Sequence, residues 1–274
     1  MNEETKERSI ESVMYRHTFA ICAYKESPFL EECICSLKKQ TKRSDIIMVT
    51  STPNEHIKNM AEKYNIPLYI NTGEKGITQD WNFAYSMADT EYVTIAHQDD
   101  VYLPDYTKEI YRVISRVKHP LIAFTNYGEL RDGKSVLNNS LLKIKRFALW
   151  LLRFPVFQNS RFIRRRALSF GNMICCPAVT LVKNNLPEQV FKHNFRSNED
   201  WEAWEAISQK KGAFAYSPKI EMYHRIHNGS ETSAILGDHA RSKEDYEMFC
   251  KFWPAPVARI ITKIYAKSED SNKL

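Results

Sequence analysis

Apolar positions along the first half of the chain switch between two rhythms. His17–Tyr24 is a continuous β-rich run. Ser27-Pro28 then reads as a helix N-cap with proline at the first helical position. Leu30, Cys33, Ile34 and Leu37 follow at the spacing of one helical face. Asp45–Thr50 is a second strand, Ser51-Thr52-Pro53-Asn54 a loop, and a helix runs to about Tyr64. Ile66–Asn71 gives a third strand, and Ile77, Trp81, Ala84 and Ala88 another helix. Glu91–Ala96 is a fourth strand. Tyr106, Ile110, Val113 and Val117 mark a further helix, and Leu121–Thr125 a further strand.

Strands separated by helices of this length predict parallel pairing in a three-layer α/β/α sandwich. Ligands of such sheets bind outside the carboxyl ends of the strands. The segments there are 23–26, 51–54, 72–76 and 97–100, so the site is expected among them. The second half is less regular. Leu141–Phe154 reads as a strongly apolar helix ended by Pro155, with Lys143, Arg146 and Arg153 near one side. Glu199–Lys210 reads as a helix, Ala213–Arg225 as one or two strands, and Val257, Ile260, Ile261 and Ile264 as one face of a last helix. The expected organisation is one domain over 1–235, with a first half at about 15–125 and a second at about 126–235. A helical extension follows over 236–274.

Composition narrows the class. The 274 residues are 43% hydrophobic and 26% charged, an ordinary globular mix. No apolar run approaches the ~18 residues of a membrane span. The polar start Met1-Asn2-Glu3-Glu4 is unlike a secretory signal. The six cysteines lack metal or disulfide spacing, so a reduced cytoplasmic setting is expected. The net charge of +6 is unevenly placed: residues 133–187 hold ten Lys and Arg and no Asp or Glu. The segment 141–166 interleaves these cations with Leu, Phe and Trp150. It reads either as a membrane-surface patch that meets anionic lipid, or as a core helix with snorkelling cationic rims. Nucleic acid is not the expected partner.

Three groups could carry chemistry. Asp99-Asp100 close an apolar strand, where adjacent carboxylates either hold Mg²⁺ or Mn²⁺ or simply form a turn before the helix beginning near Asp105. Glu199-Asp200 precede the helix led by Trp201 and Trp204, as a base or as acids favoured by the helix dipole. Tyr223-His224-Arg225-Ile226-His227 gathers two imidazoles and a guanidinium, either phosphate- and metal-binding groups or ordinary loop residues. The vicinal Cys175-Cys176 read as small buried residues rather than a redox pair.

Together these segments resemble glycosyltransferases of family 2, which have the GT-A fold. The resemblance runs through Phe19–Glu26 with Leu30, Glu31, Ser36, Leu37 and Gln40-Thr41. It continues through Gly76 with Trp81-Asn82-Phe83-Ala84, and through Glu91–Val93 to Asp99-Asp100-Val101-Tyr102-Leu103-Pro104. It covers about the first 120 residues, with single later motifs to about Thr232. It implies an inverting transfer of a sugar from a nucleotide-diphosphate donor, UDP favoured, to a saccharide or polyprenyl-linked hydroxyl in surface-polysaccharide assembly. It implies donor contacts at Ala23, Tyr24, Glu26, Ser51, Lys75, Gly76, Asn82, Gln98, Asp99, Asp100 and Arg225. Mg²⁺ or Mn²⁺ would sit at Asp99 with His97 and His227, and Asp200 would be the general base. Residues 171–177 would border the acceptor pocket. Two positions depart from the family pattern: its first acidic position is His97, and the usual acids after the second strand are replaced by Ser51–Asn54. These departures motivate an alternative, a transferase-like fold that binds nucleotide sugar or a partner without turnover. Ala96–Asp100 also resembles a zinc N-deacetylase motif, but Val101 stands where that motif has Glu.

Overall fold

A computed structural model describes residues 16–192, 195–227 and 240–269. Met1–Tyr15, the segment Asn228–Thr232 and the expected boundary at 235/236 lie outside the described residues. Strands β1 (His17–Cys22), β2 (Asp45–Thr50), β3 (Leu68–Ile70) and β4 (Tyr92–His97) alternate with helices α1 (Leu30–Lys38), α2 (Glu55–Tyr64) and α3 (Ile77–Met87). There follow β5 (Val101–Tyr102), α4 (Tyr106–Ile114), a long β6 (Pro120–Arg131) and its hairpin partner β7 (Lys134–Val136). A helical stretch comes next: α5 (Ser140–Ala148), a 3₁₀ turn (Trp150–Arg153), α6 (Pro155–Gln158) and α7 (Arg161–Leu168). Then come β8 (Val179–Val182), α8 (Glu199–Ser208), β9 (Ala213–Ile226), α9 (Ala240–Cys250) and α10 (Ala255–Glu269).

The sheet order is β3-β2-β1-β4-β8-β6-β9-β5, with β7 on β6. The β1–β2, β1–β4, β2–β3 and β6–β9 pairs are parallel, while β8 runs against both β4 and β6. The sheet is therefore mixed and mainly parallel, as the strand–helix alternation predicts. Period-2 alternation gives each face its own core. Phe19 and Ile21 of β1 join α1, α2 and α4 on one side. Ala20, Val93 and Ile95 join α3, α8 and the C-terminal helices on the other.

Local signals explain most boundaries. Asn54 Oδ1 accepts from Ile57 N at 2.9 Å, so α2 starts where the loop ends. At α1 the start moves later than expected: Ser27 Oγ accepts from Phe29 N and its carbonyl from Leu30 N, making a turn before the helix. Pro155 does not end one long helix. It begins α6 at the first position, where its missing N–H costs nothing. On α10 the buried face is Ala258, Thr262 and half-buried Tyr265, because these fit the aromatic cluster of Trp201 and Phe249. Ile260 and Ile264 therefore point outward.

Glu109 shows how charge ties a helix to the sheet. Its buried carboxylate accepts from Arg112 on its own helix and from Ser217 and Lys219 at the bulge of β9. Burial alone would raise its pKa, but these donors overcome burial and hold it at about 2. The stabilisation is complete above the unfolded value of about 4.3 and is lost as pH falls toward about 2. Glu109→Gln is expected to cost roughly 1–3 kcal/mol, discounted because Lys219 is exposed. Urea titrations at neutral and acid pH check this: the deficit at pH 7 must shrink as the wild type is acidified.

Candidate active site

A cleft of about 630 Å³ opens at the carboxyl ends of β1, β2 and β4. Ala23, Tyr24, Ser51, Lys75, Gly76, His97, Gln98, Asp99, Asp100, Asp200 and Arg225 all line it. Three expected residues do not. Glu26 is exposed on the loop after β1. The Asn82 amide donates to Phe191 O and accepts from Val190 N and Phe191 N, pinning that loop to α3. His227 is not among the lining residues but touches one of them, with Nε2 3.1 Å from Asp99 Oδ2 and its ring edge against Phe29.

The two carboxylates at the end of β4 face different ways. The turn closed by Asp100 N donating to His97 O sends them apart. Asp100 is fully buried. Its Oδ1 meets His224 Nδ1 at 3.0 Å and Arg225 N at 2.9 Å, tying β4 to β9. Burial opposes its ionisation, but His224 outweighs burial and lowers its pKa. The same contact raises that of His224 against burial. Asp99 remains partly open, bound by Ser27 Oγ at 3.0 Å and by His227. His97 stacks on Trp81 with ring centres 5.3 Å apart, and burial lowers its pKa. Its Nε2 and Asp100 Oδ2 lack hydrogen-bond partners.

Arg225 lies at the wall, but its guanidinium is already engaged. Nε donates to Asp99 O at 2.8 Å, one terminal nitrogen donates to Glu32, and the plane covers Phe29. Gln98 is likewise a clamp: its amide donates to Tyr24 O and accepts from Tyr24 N. Gly76 opens α3 at φ +154°, where a Cβ would strike the Gln79 amide.

Another side of the cleft comes from later elements. Asp200, in the first turn of α8, accepts from Asn172 Nδ2 and Trp201 N, both at 2.8 Å. Burial pushes its pKa above the usual aspartate value. Asn172, Cys175, Cys176 and Pro177 line this side. All six cysteines are free, and burial pushes the Cys175 and Cys176 thiols well up, away from reactive thiolates.

Several lining residues carried no usable sequence signal. Asp80 projects from α3 and accepts from Ser51 Oγ at 2.6 Å and Asn71 Nδ2 at 2.8 Å. It places an acid beside the very loop that lacks one. Lys145 leaves the basic run and enters the cleft, its ammonium 3.0 Å from Tyr127 OH. Glu129 and Arg131 reach the cleft from the far end of β6, and Tyr265 from α10.

The family model for glycosyl transferase family 2 matches residues 18–185. The chain belongs to that family. This glycosyltransferase also has the GT-A fold of known enzymes. One similar structure is *Staphylococcus aureus* TarS residues 1–349 in complex with UDP-GlcNAc, at 15% identity and a TM-score of 0.60 over 90% of this chain and 70% of that one. Another is the mannosyltransferase PcManGT from *Pyrobaculum calidifontis* with GDP-Man and Mn²⁺, at 14% identity and a TM-score of 0.59 over 92% and 70%. No curated protein sequence matches the chain.

For a divalent cation, Asp99 and His227 offer one oxygen and one nitrogen donor on facing side chains. Among the described residues no three His, Cys, Asp or Glu cluster as a complete cage. Two protein donors completed by substrate phosphate suit Mg²⁺ or Mn²⁺, which commonly bind that way.

Proposed function

We propose that this glycosyltransferase moves a sugar, with inversion, from a nucleotide-diphosphate donor to a hydroxyl of a saccharide or polyprenyl-diphosphate-linked acceptor. UDP is the favoured nucleotide, and the setting is surface-polysaccharide assembly on the cytoplasmic side of the cell membrane. One observation carries the reading: Asp99 at the strand ends and Asp200 at the start of α8 open on one cleft. That UDP-GlcNAc and GDP-Man occupy TarS and PcManGT supports a nucleotide sugar here.

On this reading the nucleotide lies along Ala23, Tyr24, Ser51 and Asp80. The diphosphate lies toward Asp99 and Lys75. Mg²⁺ or Mn²⁺ held by Asp99 and His227 would neutralise the leaving diphosphate. His97, which faces Asp100 and stacks on Trp81, shapes the pocket floor. Asp200 takes the proton of the acceptor hydroxyl as that oxygen bonds to the anomeric carbon. The bond from that carbon to the diphosphate oxygen breaks on the opposite side, which inverts the centre.

Calorimetric titration with UDP, GDP, dTDP and CDP, each with and without Mn²⁺, tests the donor site. Asp99→Ala is expected to weaken Mn²⁺-dependent binding by at least ~10–100-fold, the loss known for groups that merely support a ligand. A folded wild type that binds no nucleotide, or an Asp99→Ala protein that binds like wild type, would sink the assignment.

A further inference from the structure

Of the ten cations of residues 133–187, Lys134 lies apart on β7 and the other nine divide into two sets. Some serve the interior: Lys183 Nζ donates to the carbonyls of Tyr85 and Ala88, and Arg164 and Arg165 turn to the end of α8. Arg146 donates to Tyr127 O, and Lys145 enters the cleft. Lys143, Arg153, Arg161 and Arg166 stay exposed. Among the described residues none of these four has a carboxylate partner.

Large apolar side chains lie between these four. Phe147 is 82% exposed, Val156 77% and Phe162 70%, with Trp150 half exposed. Ring contacts join parts of this surface, as between Trp150 and Phe154. Arg166 lies over both Phe162 and Trp253, at 5.6 and 4.5 Å from the ring centres, and Trp253 meets Phe170. Tyr265 packs on Gly171, which brings α10 alongside with Ile260 and Ile264 outward. Soluble monomers rarely leave apolar surface joined in this way uncovered.

We propose that this face, built from α5, the 3₁₀ turn, α6, α7 and α10, docks onto an anionic lipid surface. Charge decides the occupant. A second copy would bring four unpaired cations against their own kind, whereas anionic headgroups complement them. Short broken helices with Trp and Phe outward and Arg and Lys between them suit the plane of the interface. None of the described helices is long and apolar enough to cross a membrane. Helix α5 presents Ile144 and Phe147 outward and sends Leu141 and Lys145 into the cleft. Docking therefore sets the cleft beside the bilayer. The docking goes beyond the proposed reaction and does not depend on it; only delivery of a lipid-linked acceptor does.

Co-sedimentation of the full chain with phosphatidylcholine vesicles, with and without phosphatidylglycerol, tests this. Binding is expected only with phosphatidylglycerol and should fall as salt rises. Arg153→Gln with Arg161→Gln should weaken it roughly tenfold or more. Phe147→Glu with Phe162→Glu should abolish it while the melting temperature holds. No binding to anionic vesicles, equal binding to both compositions, or indifference to both double variants would overturn the proposal. So would a concentration-dependent dimer that Phe147→Glu dissociates. Nucleotide titration of the same samples separates the two readings: its failure would remove the donor site and leave the docking result standing.

Discussion

Asp200→Asn is expected to slow sugar transfer by ~10²–10⁴-fold, the usual contribution of a positioned base. Nucleotide affinity should stay near the wild-type value, because Asp200 comes from α8 and not from the strand ends that hold Asp99. Asn keeps the shape and can still meet Trp201 N, so α8 should start unchanged. What is lost is the capacity to take a proton. The pH dependence gives a second readout. Burial raises the Asp200 pKa, with Asn172 and Trp201 N only partly offsetting it. The base form is therefore lost as pH falls through a value above the ordinary aspartate range near 3.9. A kcat profile of the wild type should show its acid limb there, and the limb should vanish in the residual activity of Asp200→Asn. An Asn variant with wild-type kcat would remove Asp200 from the chemistry.

The parallel half of the fold was legible because each element there carries its own signal. The expected β2 coincides with Asp45–Thr50, and α2 begins one residue after Asn54. The position of the cleft was legible for the same reason, since strand ends locate it. The far wall was not. Lys145, Glu129 and Tyr265 reach the cleft from α5, β6 and α10, and only tertiary packing brings those together. Asp80 was hidden inside a helix whose apolar spacing drew attention to Trp81 and Ala84. Asp99 and Asp100 show a further limit: adjacent identical residues divide their roles according to which way a single turn throws each side chain. The basic run was the hardest. Lys and Arg look alike in a sequence whether they cap carbonyls, enter a cleft or face solvent. Of the two readings left open for 141–166, the structure shows cations turned inward at Lys145 and Arg164, and the membrane contact of the exposed ones is a proposal.

Arg164 makes the distinction measurable. It sits in the run Arg164-Arg165-Arg166, yet its side chain is fully buried. Nε donates to Ser208 O at 2.8 Å, and its two terminal nitrogens donate to Gly212 O and Lys210 O. Ser208 ends α8, and the others follow it, so the guanidinium satisfies carbonyls that the helix end leaves open. It also places positive charge at the negative end of the helix dipole. The plane packs over Phe214 of β9 at 5.1 Å. Burial lowers its pKa to about 10, so it stays charged at neutral pH. Arg164→Met is expected to cost about 3–5 kcal/mol, because three buried carbonyls lose their donor together. At ~2–4 °C per kcal/mol for a chain of this size, the melting temperature should drop by roughly 10 °C. Arg164→Lys keeps the charge but cannot reach three acceptors in one plane, so it should recover only part of the loss. Arg161→Gln, three residues away on the exposed face, should leave the melting temperature unchanged and affect only vesicle binding. A similar thermal loss for Arg161→Gln and Arg164→Met would mean that the run acts as one block of charge. A loss confined to Arg164 would show a single arginine closing α8, the helix that holds Asp200 at its other end.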